Sequence, residues 1–215
     1  MKEVYCLSGL GADYRIFTRL KLPGVKLIHI PWPEHDKHDE LSCYAQKVSA
    51  LIKADNPIIM GVSLGGMIGV EIGKIRPVKK LILVSSAKTK DELPPYDTWF
   101  GKLMKSRILP PIMYKIPNSV LMDKFGVESD EDEALIQAIL NDSDGRFMKW
   151  AMWAVATWEN RTFKEPVVHI HGRQDKMLLP NTVNAQYWID DGGHMMIYNR
   201  AAEISEIILN ELADL

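Results

Sequence analysis

Ile58-Ile59-Met60-Gly61-Val62-Ser63-Leu64-Gly65-Gly66-Met67-Ile68 is the stretch on which the reading of this chain turns. Its opening, Ile58 to Val62, is an apolar run of the kind that forms a strand covered on both faces. From Gly65 to Ile75, small and apolar residues follow in a pattern that suits a helix packed tightly on a sheet. Between the two stands one serine in a Gly-x-Ser-x-Gly setting. A strand that turns straight into a helix brings its backbone close to itself, so side chains must be absent where strand and helix meet. The serine is then held on a strained, sharp turn, with its hydroxyl lifted above the sheet edge at a helix N-terminus, where negative charge is favoured. Ser63 is therefore a candidate nucleophile, and the backbone N–H of Leu64 a candidate donor to an oxyanion.

The rest of the chain supplies the sheet this turn requires. Further apolar runs occur at Val4–Leu7, Val25–Ile30, Leu81–Val84, Val167–Ile170 and, more weakly, Gln186–Ile189. Helical spacing appears over Leu41–Ile52 and Ala201–Leu212. This alternation predicts an α/β protein with a mostly parallel sheet and helices on both faces. One segment breaks it. From about Lys88 to Lys164 no strand signal appears, prolines cluster at Pro94-Pro95 and Pro110-Pro111, and helical stretches are predicted over 131–141 and 146–157. The segment holds Trp99, Trp150, Trp153 and Trp158. The expected organisation is thus a core of residues 1–87 and 165–215, interrupted by a helical insertion at 88–164. The acidic run Asp130–Glu133 fits the start of a solvated helix.

A hydroxyl needs a base. His194 ends the run Asp191-Gly192-Gly193-His194, after the last strand signal and before the last helix, where a glycine-rich loop delivers a side chain to the top of the sheet. His35 and His38 lie in a charged loop. His169 and His171 share one face of a strand, a spacing that suits a metal, but no third ligand accompanies them; no metal and no cofactor is expected. The base needs an orienting carboxylate. Asp175, just past a strand in Ile170-His171-Gly172-Arg173-Gln174-Asp175, gives the chain order serine, acid, histidine; Asp91, Asp190 and Asp191 are its rivals. A second oxyanion donor is expected from the loop Ser8-Gly9-Leu10-Gly11, at the N–H of Leu10. On helical spacing Trp150 and Trp153 share a face, and with Met195 they are candidates for an apolar substrate pocket.

Composition limits the alternatives. The 215 residues are 47% hydrophobic and 25% charged, enough for one domain with a sizeable core. With 26 basic and 28 acidic residues, the net charge of -2 gives no general attraction to nucleic acid or anionic lipid. No apolar run reaches the roughly 18 residues of a membrane span, and the start of the chain does not read as a signal peptide. Two cysteines, Cys6 and Cys43, make no disulfide framework, and Cys6 reads as a small core residue. A cytoplasmic protein is expected.

These motifs together resemble the α/β-hydrolase superfamily, in particular its small cap-bearing bacterial esterase and thioesterase-like members. The resemblance spans about residues 3–87 and 166–214 and rests on the Gly-x-Ser-x-Gly turn, the His-Gly-x-x-Asp segment and the Gly-Gly-His loop. It implies that Ser63 is the nucleophile, Asp175 the acid and His194 the base, and that the insertion is a lid over the site. The family's usual His-Gly after the first strand is Ser8-Gly9 here, and its glycine-rich loop after the second is replaced by Pro31-Trp32-Pro33. Two strands common in the family are missing, so about six are expected. The implied activity is hydrolysis of an ester or thioester of a small-molecule acyl substrate. A serine in place of a carboxylate argues against haloalkane dehalogenation. The same residues also serve C–C bond hydrolases and lyases, and the fold is compatible with a binding protein of little turnover.

Overall fold

The computed structural model describes residues 1–95, 108–116, 119–164 and 166–215; Trp99 lies outside them. Six strands, β1 (Lys2–Leu7), β2 (Val25–His29), β3 (Ile58–Val62), β4 (Lys80–Val84), β5 (Val167–Gly172) and β6 (Tyr187–Ile189), form one sheet in the order β2-β1-β3-β4-β5-β6. Every pairing is parallel. The alternation of side chains along each strand divides the core in two. Tyr5, Leu7, Ile59, Leu81, Leu83 and Val167 enter one cluster. Val4, Cys6, Met60, Ile82, Val84 and Ile170 enter the other. Because both faces are covered, β3 and β5 are buried along their whole length; β3 stands out as an unbroken apolar run, and β5 as one interrupted by the buried His169 and His171.

Helices α1 (Leu41–Leu51) and α2 (Leu64–Ile75) cover the first face with Tyr44, Val48, Met67, Ile68 and Ile72. The chain between β4 and β5 carries α3 (Ser119–Phe125), α4 (Asp130–Asp142) and α5 (Gly145–Ala156). Their starts are locally encoded: the Ser129 hydroxyl accepts the Asp132 N–H at 3.2 Å ahead of α4, and the Asp144 carboxylate accepts the Arg146 N–H at 2.8 Å ahead of α5. Four acids in the first turn of α4 suit its dipole. After β6 come α6 (Met196–Asn199) and α7 (Ala201–Ala213), which close the second face with Met196, Ile204, Ile208 and Leu212.

The strand order reverses direction once. From β1 the chain moves outward to β2, then returns to the far side of β1 as β3. In open parallel sheets the crevice beyond the carboxyl ends of the strands at such a reversal is where ligands bind. The turns after β1 and β3 leave the sheet there. No described helix is long and apolar enough to cross a membrane.

Candidate active site

Ser63 joins β3 to α2 with φ 51° and ψ −119°. A non-glycine residue there costs about 1–3 kcal/mol and persists only when its surroundings fix it. They do so on both sides of the residue. Its N–H donates to the Val84 carbonyl at 3.1 Å, and its own carbonyl accepts the Ser86 hydroxyl at 2.7 Å. The flanking glycines are required by space. A Cβ on Gly65 would lie 2.2 Å from the Leu7 carbonyl oxygen, and one on Gly61 would lie 2.5 Å from the backbone of Gly65. At the other side of the switch point, Gly9 passes so close that a Cβ on it would sit 3.4 Å from the Cβ of Ser63.

His194 and Asp175 arrive at the same point from the ends of β6 and β5. His194 Nε2 lies 3.0 Å from the Ser63 hydroxyl, and His194 Nδ1 lies 2.9 Å from Asp175 Oδ2. A carboxylate only accepts, so Nδ1 carries the proton and Nε2 is left to accept from the serine. Asp175 Oδ1 accepts the N–H groups of Met177 at 2.8 Å and Leu178 at 2.9 Å. Burial works against ionisation of Asp175, but the charge and hydrogen bond of His194 outweigh it and hold the carboxyl below its ordinary value. The loop carrying His194 is gripped by α3. Met195 N–H donates to the Phe125 carbonyl at 2.9 Å, the Asn199 side-chain amide donates to the Gly126 carbonyl at 3.0 Å, and the Phe125 ring lies 6.0 Å from that of His194. Gly126, at φ +74°, approaches Gly193 so closely that a Cβ would be 3.0 Å from its Cα.

The other candidates stand elsewhere. Asp91 pairs with Arg161 and Asp190 with Arg173, all four side chains well exposed. The backbone carbonyl of Asp191 accepts from Arg200. His35 packs against Phe147 and Trp150. His169 and His171 are buried on β5, and among the described residues no group of three His, Cys, Asp or Glu side chains is arranged to hold a metal. Burial pushes the Cys6 thiol up to about 12, so it carries no thiolate at neutral pH. Leu64 opens α2, where its N–H has no acceptor within the helix. Leu10 is half-buried in the turn after β1, which the Ala12 N–H closes on the Gly9 carbonyl at 3.0 Å and the Ser8 hydroxyl braces on the Ala12 carbonyl at 2.7 Å.

Of the candidate pocket residues, Trp150 is buried between α5 and α1. Its ring lies 4.4 Å from that of Tyr44, and its N–H donates to the Asp39 carbonyl at 2.9 Å. Trp153 is half-buried against the same cluster, and Met195 is buried beside His194 in the second. A cleft of about 540 Å³ is lined by Gly11, Ala12, Trp32, His35, Ser143 and Phe147, among others. It thus borders the turn after β1, although Ser63 is not part of its wall. The sequence placed His171 near the site as a residue at a strand end, but did not find Ser86 or the Phe125–Gly126 grip on the histidine loop. Each acts through contacts between residues far apart in the chain; only the Gly at 126 is a local signal, of a helix end.

No protein-family model matches the chain, and no curated protein matches it by sequence. Solved structures do. A lipase-esterase related protein from Clostridium acetobutylicum superposes with a TM-score of 0.75 at 18% identity, over 97% of this chain and 93% of that one. A hydrolase from Oleispira antarctica gives 0.77 at 16% identity, over 100% and 92%. An epoxide hydrolase from Bacillus megaterium gives 0.73 at 12% identity, over 99% and 94%. At such identities the likeness speaks for architecture, while the activities named for these neighbours differ among themselves. With its six-stranded parallel sheet, the turn at Ser63 and these neighbours, the chain has the α/β-hydrolase fold.

Proposed function

We propose that the protein is a serine hydrolase that cleaves an ester or thioester of a small-molecule acyl substrate. The observation that carries this reading is the unbroken line from the Ser63 hydroxyl through His194 to Asp175, with separations of 3.0 and 2.9 Å. In the proposed reaction the Ser63 oxygen attacks the acyl carbon while His194 Nε2 takes its proton. Asp175 holds the ring in the productive tautomer and stabilises the imidazolium that forms. The N–H groups of Leu64 and Leu10 receive the tetrahedral oxyanion. His194 then returns the proton to the departing alcohol or thiol, leaving an acyl-enzyme. Water, deprotonated by the same imidazole, attacks the acyl carbon and releases the acid and the free serine.

The insertion at 88–164 is proposed as the lid over this site, a reading supported by the contact of α3 with the loop that bears His194. A near-neutral charge balance and two free cysteines accord with a cytoplasmic enzyme that has no nucleic-acid partner. The test is steady-state turnover on a panel of p-nitrophenyl esters and acyl thioesters of graded chain length, with active sites titrated by a fluorophosphonate. Turnover of at least one member that tracks titrated sites is expected. Binding without turnover across the panel would favour a ligand-binding protein of the same fold.

A further inference from the structure

His171 is the penultimate residue of β5, its side chain is fully buried, and nothing in the proposed reaction uses it. Its Nε2 lies 2.9 Å from the carbonyl oxygen of Leu178. A carbonyl only accepts, so in the neutral ring the proton sits on Nε2 and the bond is a donation to Leu178. Leu178 is therefore held at both ends of its backbone: its N–H is bound by Asp175 Oδ1 at 2.9 Å, and its carbonyl by His171. The same Nε2 lies 3.7 Å from Asp175 Oδ2, the oxygen that serves His194. That is too long for a hydrogen bond, so the ring edge lies beside the carboxylate without bonding it. Burial keeps His171 below its ordinary protonation range, so at neutral pH it acts as a neutral donor and does not compete with His194 as a cation.

We propose that His171 is a positioning residue for the orienting acid: it latches the turn Asp175–Leu178 to the end of β5, so that Asp175 Oδ2 faces His194 Nδ1. The inference rests on the reading of Ser63, His194 and Asp175 as one catalytic unit. The chemistry explains why a histidine suits the place. The latch must come from within the strand, reach a carbonyl three residues beyond the acid, and donate one proton without carrying charge into a buried site. Of the common side chains, glutamine alone places an amide N–H close to where Nε2 stands; asparagine is too short and phenylalanine has no donor.

The experiment compares His171→Gln, His171→Asn and His171→Phe by two readouts. One is kcat and KM on whichever ester the protein turns over. The other is the low-field proton resonance of His194 Nδ1–H bound to Asp175, assigned by its absence in His194→Gln. His171→Phe and His171→Asn are expected to lower kcat by about 10–100-fold, the range typical of residues that orient a reacting group, with KM nearly unchanged. The His194 resonance should weaken or move upfield in both. His171→Gln should recover most of kcat and the wild-type resonance. If His171→Phe fails to fold, the Asn and Gln pair carries the comparison. Unchanged kcat and resonance in Asn and Phe would overturn the latch, as would a Gln variant no better than Asn. The resonance reads the Asp175–His194 coupling whether or not any ester is hydrolysed. An inactive protein with the expected spectral pattern would therefore count against the hydrolase reading and not against the latch.

Discussion

The two halves of the excursion between β4 and β5 are built differently. Its C-terminal half, α5 and the residues just after it, is welded to the sheet core. Phe147, Trp150, Ala151, Ala154 and Trp158 join the cluster formed by α1 and α2, and the Trp158 N–H donates to the buried Glu71 of α2 at 2.8 Å. Its N-terminal half, from Ile108 to α3, turns apolar side chains outward: Ile108 is 75% exposed, Ile112 64% and Val120 63%. Yet this half ends in Phe125 and Gly126, which grip the loop of His194. The contrast separates two tasks. Packing that fixes the fold lies in α5; the half that offers apolar surface also contacts the loop of His194, and under the proposed function it is the half expected to relay a substrate's shape to that residue. The sheet's carboxyl edge differs from both, being held by backbone contacts so close that no Cβ fits at Gly61 or Gly65.

The largest expected effect is at that edge. Ser63→Ala should lower kcat by about 10⁴-fold or more, as loss of a nucleophile does, while melting temperature and circular dichroism stay close to wild type. Activity retained in this variant would remove the sheet edge from the chemistry. Asp175→Asn should cost about 10³–10⁴-fold by favouring the wrong tautomer of His194, whereas Asp91→Asn and Asp191→Asn should leave kcat near wild type. Damage from either of the latter, with Asp175→Asn mild, would reassign the acid.

The contrast within the excursion is sharpened by stability. Trp150→Ala should cost about 3–5 kcal/mol in denaturant unfolding, the usual range for emptying a large aromatic site, with little change in preference among acyl chain lengths. Ile112→Ser should change stability by less than about 0.5 kcal/mol, as exposed substitutions do. Equal costs at the two positions would erase the distinction between the halves.

The smallest effect is one of pH. Asp175 is held below its ordinary value in the folded protein. Its ionised form therefore stabilises the fold fully above the unfolded carboxylate range, about pH 4, and that contribution is lost as pH falls through the depressed value. Unfolding of wild type and Asp175→Asn followed from pH 7 to pH 3 should show a gap that is constant near neutrality and closes in acid. A gap that widened on acidification would mean that the folded protein prefers the protonated acid.

Much of this architecture was legible from the chain. Strands covered on both faces are mostly apolar, so β1, β3, β4 and β5 appear as apolar runs close to their observed bounds, with the buried His169 and His171 as the exceptions in β5. The turn at Ser63 was legible because the close approach of β3, α2 and the end of β1 admits only glycine at positions 61 and 65. The helices α4 and α5 were legible from periodicity and caps. By contrast, α3 is short, and its role depends on Gly193, which lies far along the chain. The position of Trp150 was ambiguous because a helix face rich in tryptophan looks the same whether it lines a pocket or seals a seam. Only its partners, Tyr44 and the Asp39 carbonyl, distinguish the two. His171 was visible as a strand histidine, but its bond to Leu178 is a matter of a few ångströms that no sequence pattern encodes.

The central claim is that Ser63, drawn into line with His194 and Asp175, is an activated nucleophile. It is tested most directly by reacting the native protein with a fluorophosphonate and locating the adduct by peptide mass spectrometry. The account predicts one equivalent of label on Ser63, acquired at neutral pH and lost in His194→Gln, in which the serine is still present but no base takes its proton. Label on another residue, no label on the native protein, or undiminished labelling of Ser63 in His194→Gln would contradict it.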